Sequence, residues 1–150
     1  CYHNNPSATA ELLVEGGWVR TGDVGRIDSD GFVFITDRVK DLVIRGGENI
    51  SCSEVEGAVY EMDTIAEAAA FGLSHERLGE QLCIAVVRKK KTGEGGGTPS
   101  VEEIQAHVAA RLAKFKVPSQ VFFVEGALPR NATGKIVKRA LKEKYADKGS

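Results

Sequence analysis

No stretch of this 150-residue sequence approaches the ~20 uninterrupted apolar residues of a membrane-spanning helix, so no span is expected. Cysteine is scarce. Cys1, Cys52 and Cys83 are scattered, odd in number and form no CxxC, which excludes a disulfide framework and fits a reducing compartment, with a cytoplasmic location expected. His3, His75 and His107 lie as far apart as the cysteines, so no metal site is expected. Charge of one sign is also lacking. A formal net charge of −1 gives no general reason to expect nucleic acid as a partner.

What is present is ordinary for a globular protein: 42% hydrophobic and 27% charged residues, enough chain for one or two domains with a real core. The charge is uneven. From Leu128 onward there are seven Lys/Arg against two Asp/Glu, leaving the tail at +5 and the remainder at −6. Such a tail meets phosphates or forms a solvated helix face. The chain starts with Cys, and its opening segment, "CYHNNPSATAELLVEGGWVRTGD", reads as cut from a longer protein; a fragment is expected. Asn131-Ala132-Thr133 matches a glycosylation sequon, which carries little weight without a signal peptide.

Residues 1–23 are rich in turn formers and show little periodicity. "VGRIDSDGFVFITDR" places two alternating runs about Ser29-Asp30-Gly31 and predicts a hairpin; "DLVIRGGENI" repeats the pattern about Gly46-Gly47. Ser51 stands three residues before Glu54, a capping-box spacing, and Val55, Val59 and Met62 follow on one face of a helix over roughly 53–62. "AEAAAFGL" and "QLCIAVVRKK" read as buried strands, with Arg88 to Lys91 flaring into water. "KTGEGGGTP" reads as a flexible loop. Ser100 and Glu103 form a second capping box, opening a helix that Pro118 must stop. "QVFFVEG" is a third strand, and Lys135 opens the last helix with Ile136, Ala140 and Leu141 inward. The predicted order from residue 51, α-β-β-α-β-α, gives an α+β fold: a small three-stranded sheet with helices over one face, preceded by the hairpin segment.

The run "LPRNATGKIVKRAL", Leu128 to Leu141, sets Lys135 behind a Thr-Gly pair. At a helix N-terminus a cation is unfavourable by ~0.3–1 kcal/mol, whereas an anion is welcome. Either the lysine is solvated, or it awaits something negative. A P-loop is excluded, because two of its four fixed positions are occupied by Pro129 and Ile136.

Taken together and in order, "RTGD" (20–23), "DRVKD" (37–41), "IRGGENI" (44–50) and "LPRNATGK" (128–135) closely resemble the C-terminal part of the adenylate-forming enzymes. That superfamily includes acyl-CoA synthetases, firefly-type luciferases and the adenylation domains of peptide synthetases. The resemblance covers nearly the whole chain, and "GGENI" is of the acyl-CoA ligase form. It implies that Asp23 binds the ribose hydroxyls of ATP or AMP and that Arg38 also reaches the nucleotide. It makes Lys40 the hinge, a position where many members carry Asp and luciferase-like members tolerate lysine. Gly46 and Gly47 become the loop beside which coenzyme A passes, and Lys135 the catalytic lysine. Ser51-Cys52-Ser53 stands where many acyl-CoA synthetases have Tyr-Pro-Ala.

The resemblance further implies that residues 1–39 are the tail of a large N-terminal domain and 40–150 a mobile lid. ATP with Mg2+ would be held mainly by that missing domain, with coenzyme A as co-substrate and a small carboxylic acid as substrate. A fatty acid is expected only because such members are abundant, since the acyl pocket lies outside this sequence. The reaction implied is acyl-AMP formation followed by thioester formation, and the fragment alone is expected to be inactive. Two other readings stay open: an adenylating domain that loads a carrier protein's phosphopantetheine, and a stand-alone binding module that kept the fold without catalysis.

Overall fold

The structure is a computed structural model that describes residues 2–89 and 98–148. The expected loop over "KTGEGGGTP" lies almost wholly outside the described residues. The chain divides into two compact units, Cys1–Lys40 and Asp41–Ser150.

The first unit begins with a helix that the sequence reading passed over, α1 (Pro6–Leu12). Its start has a local cause. Asn5 Oδ1 accepts from Ala8 N–H at 3.0 Å, and Pro6 occupies the position where a missing N–H costs nothing. A minimal ribbon, β1 (Leu13–Val14) against β2 (Trp18–Val19), leads to the expected hairpin of β3 (Asp23–Ile27) and β4 (Val33–Arg38). Asp28 Oδ1 accepts from Asp30 and Phe32 N–H, and Gly31 takes φ +86°, so the turn is fixed by its own residues. No residue from 2 to 40 is buried. Trp18 is 75% exposed and Ile27 71%, so this unit has no core of its own.

In the second unit, β5 (Leu42–Arg45) and β6 (Glu48–Ser51) form the second hairpin. Gly46 and Gly47 turn it, with φ of +59° and +89°. Ser51 caps α2 (Cys52–Tyr60) by accepting from Glu54 N–H, but only half of the expected box forms: the Glu54 carboxylate goes to Lys116 Nζ at 2.6 Å. β7 (Ile65–His75) and β8 (Gly79–Arg88) pair antiparallel along their length. α3 (Val101–Ala109) opens with the full capping box of Ser100 and Glu103. It ends at Ala109, before Pro118 forces it to, with Ala110 as its C-cap. β9 (Gln120–Phe123) runs parallel to β8, and α4 (Lys138–Tyr145) closes the fold.

The α+β class and element order are as expected, but the sheet is larger. β7, β8 and β9 are the three predicted strands, and the β5–β6 hairpin joins them through Arg45 opposite Gly79 to make five. Helices serve both faces rather than one. Ala68, Ala70, Leu82, Ile84 and Val86 pack with Val55, Val59, Ile104 and Val108. The intervening Ala69, Phe71, Cys83, Ala85 and Val87 pack with Leu128, Leu141 and Tyr145. This is the period-2 alternation of a strand with both sides buried. Arg88 does not flare into water. Its guanidinium sits 3.5 Å over the Phe123 ring and donates to Pro99 O.

The last helix begins three residues later than expected. Lys135 O accepts from Asn131 N–H, Val137 N–H donates to Pro129 O, and Arg130 bridges Ile136. The backbone of 135–137 is therefore committed to pairing with 129–131 and is not free to start a helix.

Gly72 leaves room for its neighbour. A Cβ there would lie 2.7 Å from the Glu80 carboxylate, which accepts from Ile44 N–H at 2.8 Å and lies 3.6 Å from Lys142 Nζ. Gly72→Ala is expected to displace that carboxylate and cost about 1–2 kcal/mol in urea unfolding. The cost should largely vanish when the same change is made in a Glu80→Ala background; equal costs in both backgrounds would contradict the account.

Candidate functional site

Asp23 opens β3 and Arg38 ends β4, directly opposite each other in the hairpin register. Arg38 Nε lies 3.1 Å from Asp23 Oδ1. The hairpin thus brings two predicted site residues together, and the partner of Arg38 is Asp23. An ion pair this exposed is worth at most ~1 kcal/mol, so either group can exchange its partner for a ligand at little cost. Thr21 Oγ1 accepts from Asp23 N–H, and Val39 N–H donates to Gly22 O, which fixes the turn before the aspartate. Asp23 and Lys40 line one cavity of about 800 Å³ within this unit, together with Tyr2, Asn5, Glu11 and Arg20. A carboxylate on such a wall accepts from two neighbouring hydroxyls at once.

The Gly46-Gly47 bend sits at the tip of β5 and β6. Gly46 N–H donates to Leu78 O at 2.8 Å, and the Leu78 side chain packs 3.5 Å from where a Gly46 Cβ would stand. Gly47 faces open space within 4 Å, so a ligand can approach its backbone. The supporting turn is itself held by His75, whose Nδ1 accepts from Arg77 and Leu78 N–H.

Lys135 is exposed, and among the described residues no carboxylate pairs with its ammonium. Its position is set by the backbone. Asn131 Oδ1 accepts from Lys135 N–H at 2.9 Å, from Thr133 N–H at 3.1 Å and from Thr133 Oγ1 at 2.8 Å, while Gly134 takes φ +82°. The sequon asparagine is thus the centre of an Asx-type turn.

Glu67, which the sequence reading did not single out, ties this turn to the sheet. Its Oε2 accepts from Leu128 N–H at 2.9 Å and its Oε1 from Arg130 Nη2 at 2.8 Å. Arg130 Nη1 in turn donates to Gly134 O at 2.7 Å. The Leu128 amide and the Arg130 side chain hold the Glu67 carboxyl below its ordinary 4.5, against the opposing effect of burial. A second acid plays a similar part for α4. Glu56 Oε1 accepts from Ala70 N–H and pairs with Lys138 Nζ, both at 2.8 Å. The only advance signal was a carboxylate beside an apolar strand, a pattern that usually means solvent.

The two loops hang from opposite ends of the β7–β8 ribbon. Glu67 lies at one end, opposite Val87; His75 lies at the other, opposite Gly79. His75 lies eight positions along the strand from Glu67, or roughly 25 Å. Among the described residues no group of three or more His, Cys, Asp or Glu gathers to hold a metal ion. No helix among them is long and apolar enough to cross a membrane. Burial pushes the Cys83 thiol up to about 11, which makes it a packing residue and not a nucleophile.

The Glu67 bonds have a signed pH signature. Because the folded carboxyl is the stronger acid, its contribution is fully present above pH 4.5 and is lost as pH falls through the lower folded value. Glu67→Gln is expected to lower stability by about 1–2 kcal/mol at pH 7. In thermal unfolding at a series of pH values the gap to the wild type should close once Glu67 takes its proton. A gap that stays constant down to pH 3 would contradict this.

A sequence model described as the AMP-binding enzyme C-terminal domain matches residues 54–135. A long-chain-fatty-acid–CoA ligase of Mycobacterium tuberculosis is 40% identical over 145 residues, covering 97% of this chain and 27% of that protein. A 2-succinylbenzoate–CoA ligase of a Geobacillus strain is 40% identical over 142 residues, covering 95% and 27%. The crystal structure of ATP-bound MatB from Rhodopseudomonas palustris superimposes with a TM-score of 0.86 at 37% identity, over 98% of this chain and 28% of that one. The chain spans just over a quarter of the length of the relatives it matches. Over its second unit, it belongs to the family of AMP-binding enzyme C-terminal domains.

Proposed function

We propose that the intact protein is an AMP-forming carboxylate–CoA ligase, for which this chain supplies the catalytic lysine, part of the nucleotide site and the coenzyme A side. In the first half-reaction a carboxylate oxygen attacks the α-phosphorus of ATP and pyrophosphate leaves. In the second the thiol of coenzyme A attacks the acyl carbonyl and AMP leaves. Lys135 carries the first step as the cation beside the charge that builds on the transferring phosphoryl group. Asp23 accepts from the ribose hydroxyls and Arg38 balances the nucleotide's charge. The Gly46-Gly47 bend lets the thiol arm pass close to the backbone.

The observation that carries this reading is the separation of the two loops by the length of β7. One compact unit whose two loops are anchored ~25 Å apart along one strand needs two orientations to serve one reaction centre, which is a hinge device. Lys40 is the proposed hinge, and the boundary between the compact units at Lys40 and Asp41 supports it. The absence of any buried residue from 2 to 40 supports reading that unit as the tail of a larger domain, with the lid following it. Cys52 and Cys83, both buried and in no disulfide, support a reducing compartment such as the cytoplasm. Relatives of equal identity act, by name, on a long-chain fatty acid and on 2-succinylbenzoate. A fatty acid is our first candidate.

Carboxylate-dependent ATP–pyrophosphate exchange by the intact protein tests the proposal, using fatty, aromatic and dicarboxylic acids. Exchange is expected only with an acid present, strongest with a fatty acid, and free coenzyme A should then release AMP. Exchange followed by transfer only to a carrier protein's phosphopantetheine would replace the proposed acceptor. No exchange with any acid, from a folded protein that binds ATP, would leave a non-catalytic binding module.

A further inference from the structure

We infer that Glu67 and Arg130 are positioning residues for Lys135, a carboxylate–guanidinium clamp that fixes the lysine's loop to the sheet for the first half-reaction; this rests on the role proposed for Lys135 above. Leu128 is the loop's buried anchor, and residues 131 to 135 are all exposed. Apolar packing therefore does not hold the stretch that carries the lysine. Its shape depends on a short series of polar bonds. Asn131 folds the turn upon itself, but those bonds are internal and do not say where the turn sits. The tie to the sheet is Glu67, through Leu128 N–H and Arg130 Nη2, and the tie from there to the residue next to the lysine is Arg130 Nη1 to Gly134 O.

Arg130 suits this task for a geometric reason. One planar guanidinium presents two fixed donors, so a single side chain spans from the strand to the turn and sets the distance between them. A lysine keeps the charge yet offers one nitrogen on a flexible stem. Arg130 and Glu67 are 41% and 22% exposed in their side chains, so the ion pair between them adds little to global stability. Its effect is local. The Lys135 ammonium stands at the end of four rotatable bonds, and its reach is only as well defined as its Cα. A misplacement of ~1 Å at a reacting centre costs up to about 100-fold in rate.

Arg130→Lys, Arg130→Met and Glu67→Gln are compared with the wild type and Lys135→Ala in the intact protein. Both Arg130 variants are expected to slow acid-dependent ATP–pyrophosphate exchange by about 10- to 100-fold. Conversion of preformed acyl-AMP to acyl-CoA and the KM for ATP should hold near wild type. Arg130→Lys should not restore the first half-reaction, although a purely electrostatic or stabilising role would be rescued by the retained charge. Hydrogen exchange is read in the same proteins and does not depend on activity. The Leu128 amide, which donates to Glu67, should exchange faster in Glu67→Gln, with the midpoint of global unfolding little changed for the Arg130 variants. Wild-type pyrophosphate-exchange kinetics in Arg130→Lys, equal losses in both half-reactions, or unaltered protection of the Leu128 amide in Glu67→Gln would each overturn the clamp. A wild type that exchanges pyrophosphate with no acid would instead remove the function assigned to Lys135, and amide protection would still decide whether the clamp exists.

Discussion

The pairing of β7 with β8 is the constraint on which the second unit depends, because this ribbon is buried on both sides. From Ala68 to Leu73 and from Leu82 to Val87 the even-numbered buried residues face α2 and α3, and the odd-numbered ones face α4 and the Leu128 segment. A one-residue slip would exchange the two sets and put each against the wrong partners. β7 is also a sheet edge, and its open backbone groups are taken by α2: Tyr60 Oη bonds Ala68 N–H and O, and Glu56 bonds Ala70 N–H. The edge is thereby blocked over Ala68 to Ala70.

Each functional loop is hung from this frame by a carboxylate that accepts a backbone amide. At one end Glu67 takes Leu128 N–H, leading into the Lys135 turn. At the other Glu80 takes Ile44 N–H, one residue before the strand enters the glycine bend. Both acids then reach a basic side chain, Arg130 for Glu67 and Lys142 for Glu80. The residues proposed for the chemistry sit on exposed turns, but the turns inherit their positions from the buried sheet. This division of labour is what a domain needs if two sites are to be presented in alternation without remaking either one.

How much of this was legible depended on the range of the cause. The Asp28 turn, the glycine bend and the Ser100–Glu103 box are local in sequence, and all three were readable. α1 was equally local, with Asn5 and Pro6 as its start signal, and was masked by the turn formers around it. The fourth and fifth strands were not readable, because β5 meets β8 through a single pair, Arg45 and Gly79, far apart in the chain. Lys135 was found as a residue but assigned to a helix start, since nothing local shows that Pro129 will pair with Val137. Glu56, Glu67 and Glu80 escaped for a further reason. A charged residue beside an apolar run is read as facing water, and only the fold reveals that each faces an amide.

The central claim is that the Lys135 turn serves adenylation alone. The most direct measurement is single-turnover kinetics of the two half-reactions in the intact protein carrying Lys135→Ala, with the acid to acyl-AMP in one experiment and preformed acyl-AMP to acyl-CoA in the other. Loss of the charge that stabilises the transferring phosphoryl group is expected to slow the first by at least ~100-fold and leave the second near wild type. Equal losses in both steps would contradict the account, because one loop would then be serving two reactions.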